Sequence, residues 1–112
     1  MEREFIQLPE FERQWSRLGL DDDDLAELQE EIKKDPKLGA VIPGTGGVRK
    51  MRIAFKGRGK RGSARVLYID VFIAETILLL GAYAKSEKET LTQEEKQNIK
   101  KLAELLKGQY RS

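Results

Sequence analysis

The sequence predicts a small α+β domain with the element order β-α-α-β-β-β-α. Apolar residues recur at helical spacing after Pro9 and again after Thr92, whereas between residues 47 and 84 they alternate or run continuously, as in strands. Glycine and proline separate these segments. We expect a mainly antiparallel, twisted sheet with an N-terminal helical hairpin on one face, and a C-terminal helix. With 112 residues and no internal repeat or linker, the chain reads as a single domain spanning 1–112.

The first strand and first helix follow from the N-terminal residues. A short strand over residues 2–8 ends at Pro9, a residue that suits the first turn of a helix. The apolar stripe of this helix lies at positions i, i+4 and i+7, namely Phe11, Trp15 and Leu18. We expect Trp15 to lie in the core rather than to serve as a base-stacking platform.

The run of four aspartates, Asp21 to Asp24, opens the second helix. Carboxylates at a helix N-terminus accept hydrogen bonds from free N–H groups and favour the dipole. We therefore expect a helix cap here and not a metal cluster. Leu25, Leu28 and Ile32 form the apolar stripe, and Asp35–Pro36 ends the helix.

A loop rich in glycine and proline, 37–47, leads into three strands at about 47–55, 63–71 and 75–84. Alternation in the first of these sends Met51, Ile53 and Phe55 to one face and Lys50 and Arg52 to the other. The strand at 75–84 is apolar on both faces, so we expect it inside the sheet with both faces covered.

The final helix begins with a capping box, in which Glu95 follows Thr92 by three residues. Its apolar stripe consists of Ile99, Leu102, Ala103 and Leu106, and Gly108 is a natural stop. Tyr110 follows the helix, and we expect it in a frayed tail.

Composition excludes several kinds of chemistry. The chain has no cysteine and no histidine, which removes disulfides, thiolate metal sites and the commonest general base. We expect no metal and no cofactor. No signal-like segment is visible, and the longest apolar run, 76–84, is too short to span a bilayer. These features predict a cytoplasmic protein without a membrane partner.

Charge is distributed unevenly along the chain. Residues 36–69 contain nine Lys or Arg and no acid, although the whole chain has a formal charge of only +2. The remaining residues therefore carry −7 together. Solubilising surfaces usually mix the two signs, so this block suggests a polyanionic partner.

Within the basic block, Lys50 and Arg52 lie two apart on a strand and project from one face. Arg65 approaches them across the ladder if the two strands pair as a hairpin. Phosphate is the anion that suits such a cluster. Arg49 precedes the pair, and a glycine-rich turn carries four more candidate RNA contacts: Lys56, Arg58, Lys60 and Arg61. The alternative is that the hairpin is ordinary solvated surface, whose cations keep an edge strand from aggregating with other chains.

A family resemblance rests on LGAVIPGTGGVRKMRIAFKGRGKRGSARVLY and the later AYAKSEKETLTQEEKQNIKKL. These segments resemble the HigB branch of the RelE/ParE toxin superfamily. The resemblance implies a bacterial toxin of a type II toxin–antitoxin pair that cuts mRNA on the ribosome. It also implies a cognate antitoxin, which often has a helix-turn-helix domain. The toxin would then contact operator DNA only through this antitoxin.

The resemblance also assigns residues. Lys50 and Arg52 match the basic pair on the family's second strand, and Arg65 matches the arginine that opens its third strand. Lys85 and Lys88 fall in the basic segment after strand four and are further candidate RNA contacts. Ser86 stands where relatives often have Arg, and Thr92 stands near the position of a catalytic Tyr. The proton-transfer group is therefore open, with Lys50 our candidate and Tyr68, Tyr83 and Tyr110 the tyrosines present.

Two other functions are compatible with the sequence. One is a ParE-like toxin that inhibits DNA gyrase without cutting RNA, although such proteins usually lack a converging basic set. The other is a noncatalytic RNA-binding module.

Overall fold

The computed structural model describes residues 3–54, 63–88 and 90–110. Across these ranges the order is the predicted α+β order, with one additional short strand inside the predicted 37–47 loop. The elements are β1 (Glu4–Gln7), α1 (Pro9–Arg17), α2 (Asp22–Lys34), β2 (Ala40–Val41), β3 (Arg49–Ala54), β4 (Ser63–Val71), β5 (Thr76–Ala84) and α3 (Gln93–Gly108), with a single 3₁₀ turn, Phe72–Ala74, between β4 and β5.

The strands form one sheet in the order β1-β5-β4-β3-β2. β1 pairs with β5 in parallel, and the remaining neighbours pair antiparallel. β5 lies inside the sheet, and every residue from Thr76 to Tyr83 is buried. The prediction of an interior strand covered on both faces is confirmed, because neither face of β5 is available to water.

Two apolar clusters cover the two faces of this sheet. On one face, α1 and α2 pack against alternate residues of the strands, and the buried members include Phe11, Trp15, Ile32, Met51 and Val66. On the other face, α3 packs against the intervening residues, among them Leu67, Ile69, Leu78, Leu80 and Ala103. Alternation along each strand therefore divides the apolar side chains between two cores.

The helical hairpin is fixed at the turn between its helices. Gly19 has φ of 77°, a left-handed conformation that glycine adopts without steric cost. The Trp15 indole N–H donates to the Asp21 carbonyl at 3.1 Å, and Trp15 is buried as predicted. Asp21 caps α2, with reciprocal side-chain to backbone hydrogen bonds between Asp21 and Asp24. The aspartate run therefore forms the predicted helix cap.

Tyr68 attaches the segment before β3 to the centre of the sheet. Its hydroxyl accepts from the Gly39 N–H and donates to the Pro36 carbonyl, both at 2.9 Å. Burial raises the pKa of Tyr68. A Cβ on Gly39 would lie 2.9 Å from the Tyr68 ring and 3.0 Å from the Lys50 carbonyl oxygen, so only glycine fits. Tyr68 thus has a structural role on the helical-hairpin face of the sheet.

A buried ion pair connects the residue before β1 with β4. The Arg3 guanidinium donates to both Asp70 carboxylate oxygens, at 2.8 Å from Nε and 3.1 Å from Nη2. This hydrogen bonding raises the pKa of Arg3. The Arg3 guanidinium also lies 5.3 Å from the centroid of the Phe72 ring. Since both charges are paired bidentately, their burial is compensated.

α3 begins at the predicted capping box, in which Thr92 and Glu95 exchange side-chain to backbone hydrogen bonds. Near its end, the Lys107 ammonium donates to the Gly46 carbonyl. Tyr110 packs against the apolar cluster beneath α3. The expectation of a frayed tail at Tyr110 was wrong, because the aromatic ring has apolar surface to cover.

Replacing Ile32 with Ala should lower the free energy of unfolding by about 2–5 kcal/mol, because the side chain is fully buried between α2 and the sheet. Ile73→Ala makes the same chemical change at a side chain that is 75% exposed, and should cost about 0.5 kcal/mol or less. Urea denaturation of the two variants measures the difference. Equal losses would contradict the placement of α2 over the sheet.

Candidate nucleic-acid interface

Cross-strand pairing places the three predicted catalytic residues in two adjacent rows. The first row contains Lys50, Leu67 and Gly81, which lie opposite one another on β3, β4 and β5. The second row contains Arg52, Arg65 and Tyr83 in the same order. Residues directly opposite in antiparallel strands project from the same face. Lys50, Arg52 and Arg65 therefore share one face, the face on which α3 packs farther along the sheet.

Apolar neighbours enforce this placement. Met51 and Ile53 pack into the cluster beneath the helical hairpin, so Lys50 and Arg52, which alternate with them along β3, point to the opposite face. Arg52 is exposed, whereas Lys50 and Arg65 are half-buried. Arg65 also donates to the Ser63 hydroxyl at 3.4 Å, a contact that orients the guanidinium along β4.

The cations of this face have no ion-pair partner among the described acids, although Arg52 borders a cavity of about 230 Å³ that Asp24, Glu27 and Glu31 of α2 also line. In residues 3–54, 63–88 and 90–110, no carboxylate forms a salt bridge with Lys50, Arg52 or Arg65. Two arginines directly opposite one another repel. An anion between them relieves that repulsion and accepts hydrogen bonds from both guanidinium groups, so the site is suited to a phosphate.

Arg49 lies on the other side of the sheet. It pairs with Tyr68, and its guanidinium donates to the Gly39 carbonyl at 2.7 Å and to the Lys37 carbonyl at 3.4 Å. These contacts hold β2 against β3. Arg49 is thus separated from Lys50, Arg52 and Arg65, and its role in RNA binding stays a prediction.

The segment after β5 brings the two predicted lysines to the same end of the sheet. The Lys85 backbone N–H donates to the Ser63 carbonyl at 2.9 Å, beside the start of β4. The Lys88 ammonium pairs with the Glu95 carboxylate and lies 5.3 Å from the centroid of the Tyr83 ring. Hydrogen bonds from Lys88 and from the Thr92 N–H lower the pKa of Glu95.

Sequence reasoning found the Glu95 cap but missed its pairing with Lys88. Lys56, Arg58, Lys60 and Arg61, together with Phe55, lie outside the described residues.

The three tyrosines differ in their relation to the basic face. Tyr68 lies on the opposite face, and Tyr110 packs near the end of α3. Tyr83 lies in the second row, directly opposite Arg65, and is buried. Only the sheet register distinguishes Tyr83 from the others, and no local sequence signal marks it.

The described part of the chain contains no group of three acidic, His or Cys side chains arranged to hold a metal ion. No described helix combines the length and apolar character needed to cross a membrane.

These observations define a small α+β protein with a cationic sheet face suited to a phosphodiester. Residues 6–111 match the family described as the RelE toxin of the RelE/RelB toxin–antitoxin system. The chain therefore belongs to the RelE toxin family. Membership makes it the toxin component of a toxin–antitoxin system and implies a cognate antitoxin.

A solved structure supports the same fold. A doubly substituted mutant of the E. coli toxin RelE, in the free state, superposes with a TM-score of 0.57. The two sequences are 14% identical, and the match covers 80% of this chain and 90% of the other. At this identity the likeness concerns the fold, which agrees with the α+β architecture described above.

Replacing Glu95 with Gln should weaken the pH dependence of stability on the acid side. The pKa of Glu95 in the folded state is below its ordinary value of 4.5, so its contribution is present above that value and is lost as the pH falls through the folded-state pKa. The Gln side chain keeps an acceptor for the Thr92 N–H but loses the pairing with Lys88. Urea midpoints measured from pH 7 to pH 3 should therefore fall less steeply for Glu95→Gln than for wild type.

The matched control is Glu94→Gln, which removes the same charge from an exposed neighbouring position in the first turn of α3. It should retain the wild-type acid dependence. If both variants behave alike, the Lys88–Glu95 pair does not contribute to acid stability.

Proposed function

We propose that this protein is a HigB-like, ribosome-dependent mRNA endoribonuclease whose activity arrests translation. The observation that carries the proposal is the placement of Lys50, Arg52 and Arg65 on one sheet face, in adjacent rows and without acidic partners among the described residues. Family membership supports a toxin, and the cationic face supports RNA as the molecule it acts upon.

The reaction uses the RNA's own 2′-hydroxyl as the nucleophile. The 2′-oxygen bonds to the adjacent phosphorus as the bond from phosphorus to the 5′-oxygen breaks, leaving a 2′,3′-cyclic phosphate and a 5′-hydroxyl. One proton leaves the 2′-hydroxyl and one is delivered to the 5′-oxygen. This route requires no protein nucleophile and no metal ion.

Negative charge develops around the five-coordinate phosphorus in the transition state. Fixed cations stabilise this charge and so lower the activation free energy. Arg52 and Arg65 are the groups we assign to the non-bridging oxygens, because they lie directly opposite each other. Lys50, one row away and half-buried, is our candidate for proton transfer. Tyr83 is the tyrosine in register with Arg65 and is the alternative for this step.

The ribosome supplies geometry that the isolated toxin does not. In-line attack requires the 2′-oxygen, the phosphorus and the 5′-oxygen to be aligned, and orientation of this kind contributes several kcal/mol. The toxin would act in the bacterial cytoplasm. Its antitoxin, with a helix-turn-helix domain, would contact operator DNA and prevent access of the cationic face to the ribosome.

Alanine substitution at Lys50, Arg52 or Arg65 should each reduce the rate of mRNA cleavage by about 10²–10³-fold, because each removes one group aimed at developing charge or at the transferred proton. The control is Arg17→Ala, which removes an exposed arginine from α1 on the other face of the sheet. Cleavage is measured on translating ribosomes by primer extension. Wild-type rates for the Lys50, Arg52 and Arg65 variants would exclude this site.

Binding of single-stranded RNA should also respond to these variants through its salt dependence. Each phosphate contact contributes about 0.7 to the slope of log K against log salt concentration. Arg52→Ala should lower the magnitude of the slope by roughly one such contact, whereas Arg17→Ala should leave it unchanged. Fluorescence anisotropy over a sodium chloride series measures both slopes.

Expression of the toxin without its antitoxin, followed by mapping of mRNA 5′ ends, tests the function as a whole. We expect growth arrest and new 5′ ends within translated codons. Growth arrest with DNA damage and no new ends would instead indicate a gyrase inhibitor. Normal growth combined with salt-dependent RNA binding would indicate a noncatalytic module.

A further inference from the structure

A cavity of about 500 Å³ opens beside β5, beyond the end of β1. The pairing of β1 with β5 ends at Gln7 and Leu79. Directly after Leu79, the pairing of β5 with β4 is irregular, because Tyr68 pairs with Leu79 but Leu67 pairs with Gly81. Past this point the Gln14 side-chain carbonyl, on α1, accepts the hydrogen bond of the Ala82 N–H at 2.8 Å. Residues of α1 and α3 supply the walls of the cavity.

The cavity is continuous with the cationic rows. Leu67 and Gly81 of the first row line it, and so does Tyr83 of the second row. Neighbouring strands lie about 4.8 Å apart, so the cavity begins one strand from Arg65 and two strands from Arg52. A nucleotide whose phosphate lies between these arginines can place its base in the cavity.

The lining matches the chemistry of a nucleobase. Its floor is apolar, formed by Leu67, Leu80, Ala82, Leu91, Ile99 and Leu102, which suits the flat faces of a base. Its polar members are Glu10, Gln14, Lys88, Glu95 and Asn98. Gln14 is hydrogen-bonded to Glu10 and to the Ala82 N–H, and Lys88 is paired with Glu95. Asn98 is exposed at this site and presents both a donor and an acceptor.

We infer that this cavity binds one unstacked nucleobase of the RNA whose phosphate lies on Arg52 and Arg65, and that Asn98 contributes to the choice of base. The inference rests on the proposed function. Single-stranded RNA is commonly recognised through splayed bases that are stacked and hydrogen-bonded at their edges. An apolar side chain of the antitoxin suits the cavity less well, because it would cover the exposed Asn98 amide without offering it a hydrogen-bond partner.

The test uses the purified full chain and a single-stranded RNA pentanucleotide, compared with five versions that each carry one abasic position. Binding is measured by fluorescence anisotropy at low salt. For wild type, removal of the base at one position should weaken binding about tenfold, as expected for loss of a bound base. The other four positions should matter less.

Leu102→Phe fills the cavity from α3, and should weaken binding of the intact RNA about tenfold and abolish the sensitivity to the abasic position. Leu105→Phe is the matched control, because Leu105 lies on the same helix but is 66% exposed and does not line the cavity. It should bind like wild type.

Asn98→Ala should change which base is preferred at the sensitive position, whereas Gln97→Ala, its exposed neighbour outside the cavity, should not. These two variants also carry the test if Leu102→Phe fails to fold.

Three results would overturn the inference. Equal effects of all five abasic positions on wild type, with RNA binding retained, would exclude a base site but leave the proposed nuclease intact. Loss of antitoxin binding in Leu102→Phe, with base sensitivity unchanged, would assign the cavity to the antitoxin. Absence of both RNA binding and mRNA cleavage by wild type would remove the proposed function, and the inference with it.

Discussion

The hydrogen-bond register between β3, β4 and β5 is the constraint on which the cationic face depends. A slip of one residue in β3 would turn Arg52 toward the helical hairpin and Met51 toward solvent. Burial of Met51 and Ile53 beneath α2 opposes such a slip, because their apolar surface would be returned to water. The apolar residues between the cations therefore set the positions of the charges.

One sheet face is apolar along one part and cationic along another. Where α3 packs, this face is apolar and includes Ile69, Leu78 and Leu80. Toward the other end it carries Lys50, Arg52 and Arg65, and Leu67 lies buried between Lys50 and Gly81. A rigid, packed region thus adjoins the charges directly. Side chains held by such a support lose less conformational freedom when they bind an anion.

Local patterns were sufficient for much of this fold. Helical spacing, the Thr92–Glu95 capping box, the aspartate helix cap and strand alternation predicted the main elements, and alternation also predicted that Lys50 and Arg52 share a face. The same alternation puts Arg49 on the opposite face, although sequence reasoning grouped it with the other RNA-binding candidates. β2 was missed because two residues carry no periodicity and their pairing depends on the fixed position of Gly39.

The nonlocal parts of the candidate site had no comparable signal. The Lys88–Glu95 pair joins residues seven apart across an irregular segment, and the cavity depends on where β1 stops along β5. The irregular pairing of β4 with β5 after Leu67 is likewise unmarked by any local pattern. The position of Tyr83 opposite Arg65 follows from strand pairing, which is fixed only when the whole sheet is assembled.

The parallel pairing of β1 with β5 has a consequence for biosynthesis. Glu4–Gln7 are made first, yet their partners, Thr76–Leu79, are translated only after about two thirds of the chain. Since β5 also completes the row that contains Arg65, a nascent polypeptide lacks both its finished sheet and its assembled cationic face. Chain topology therefore delays formation of the cationic face until most of the polypeptide has been made.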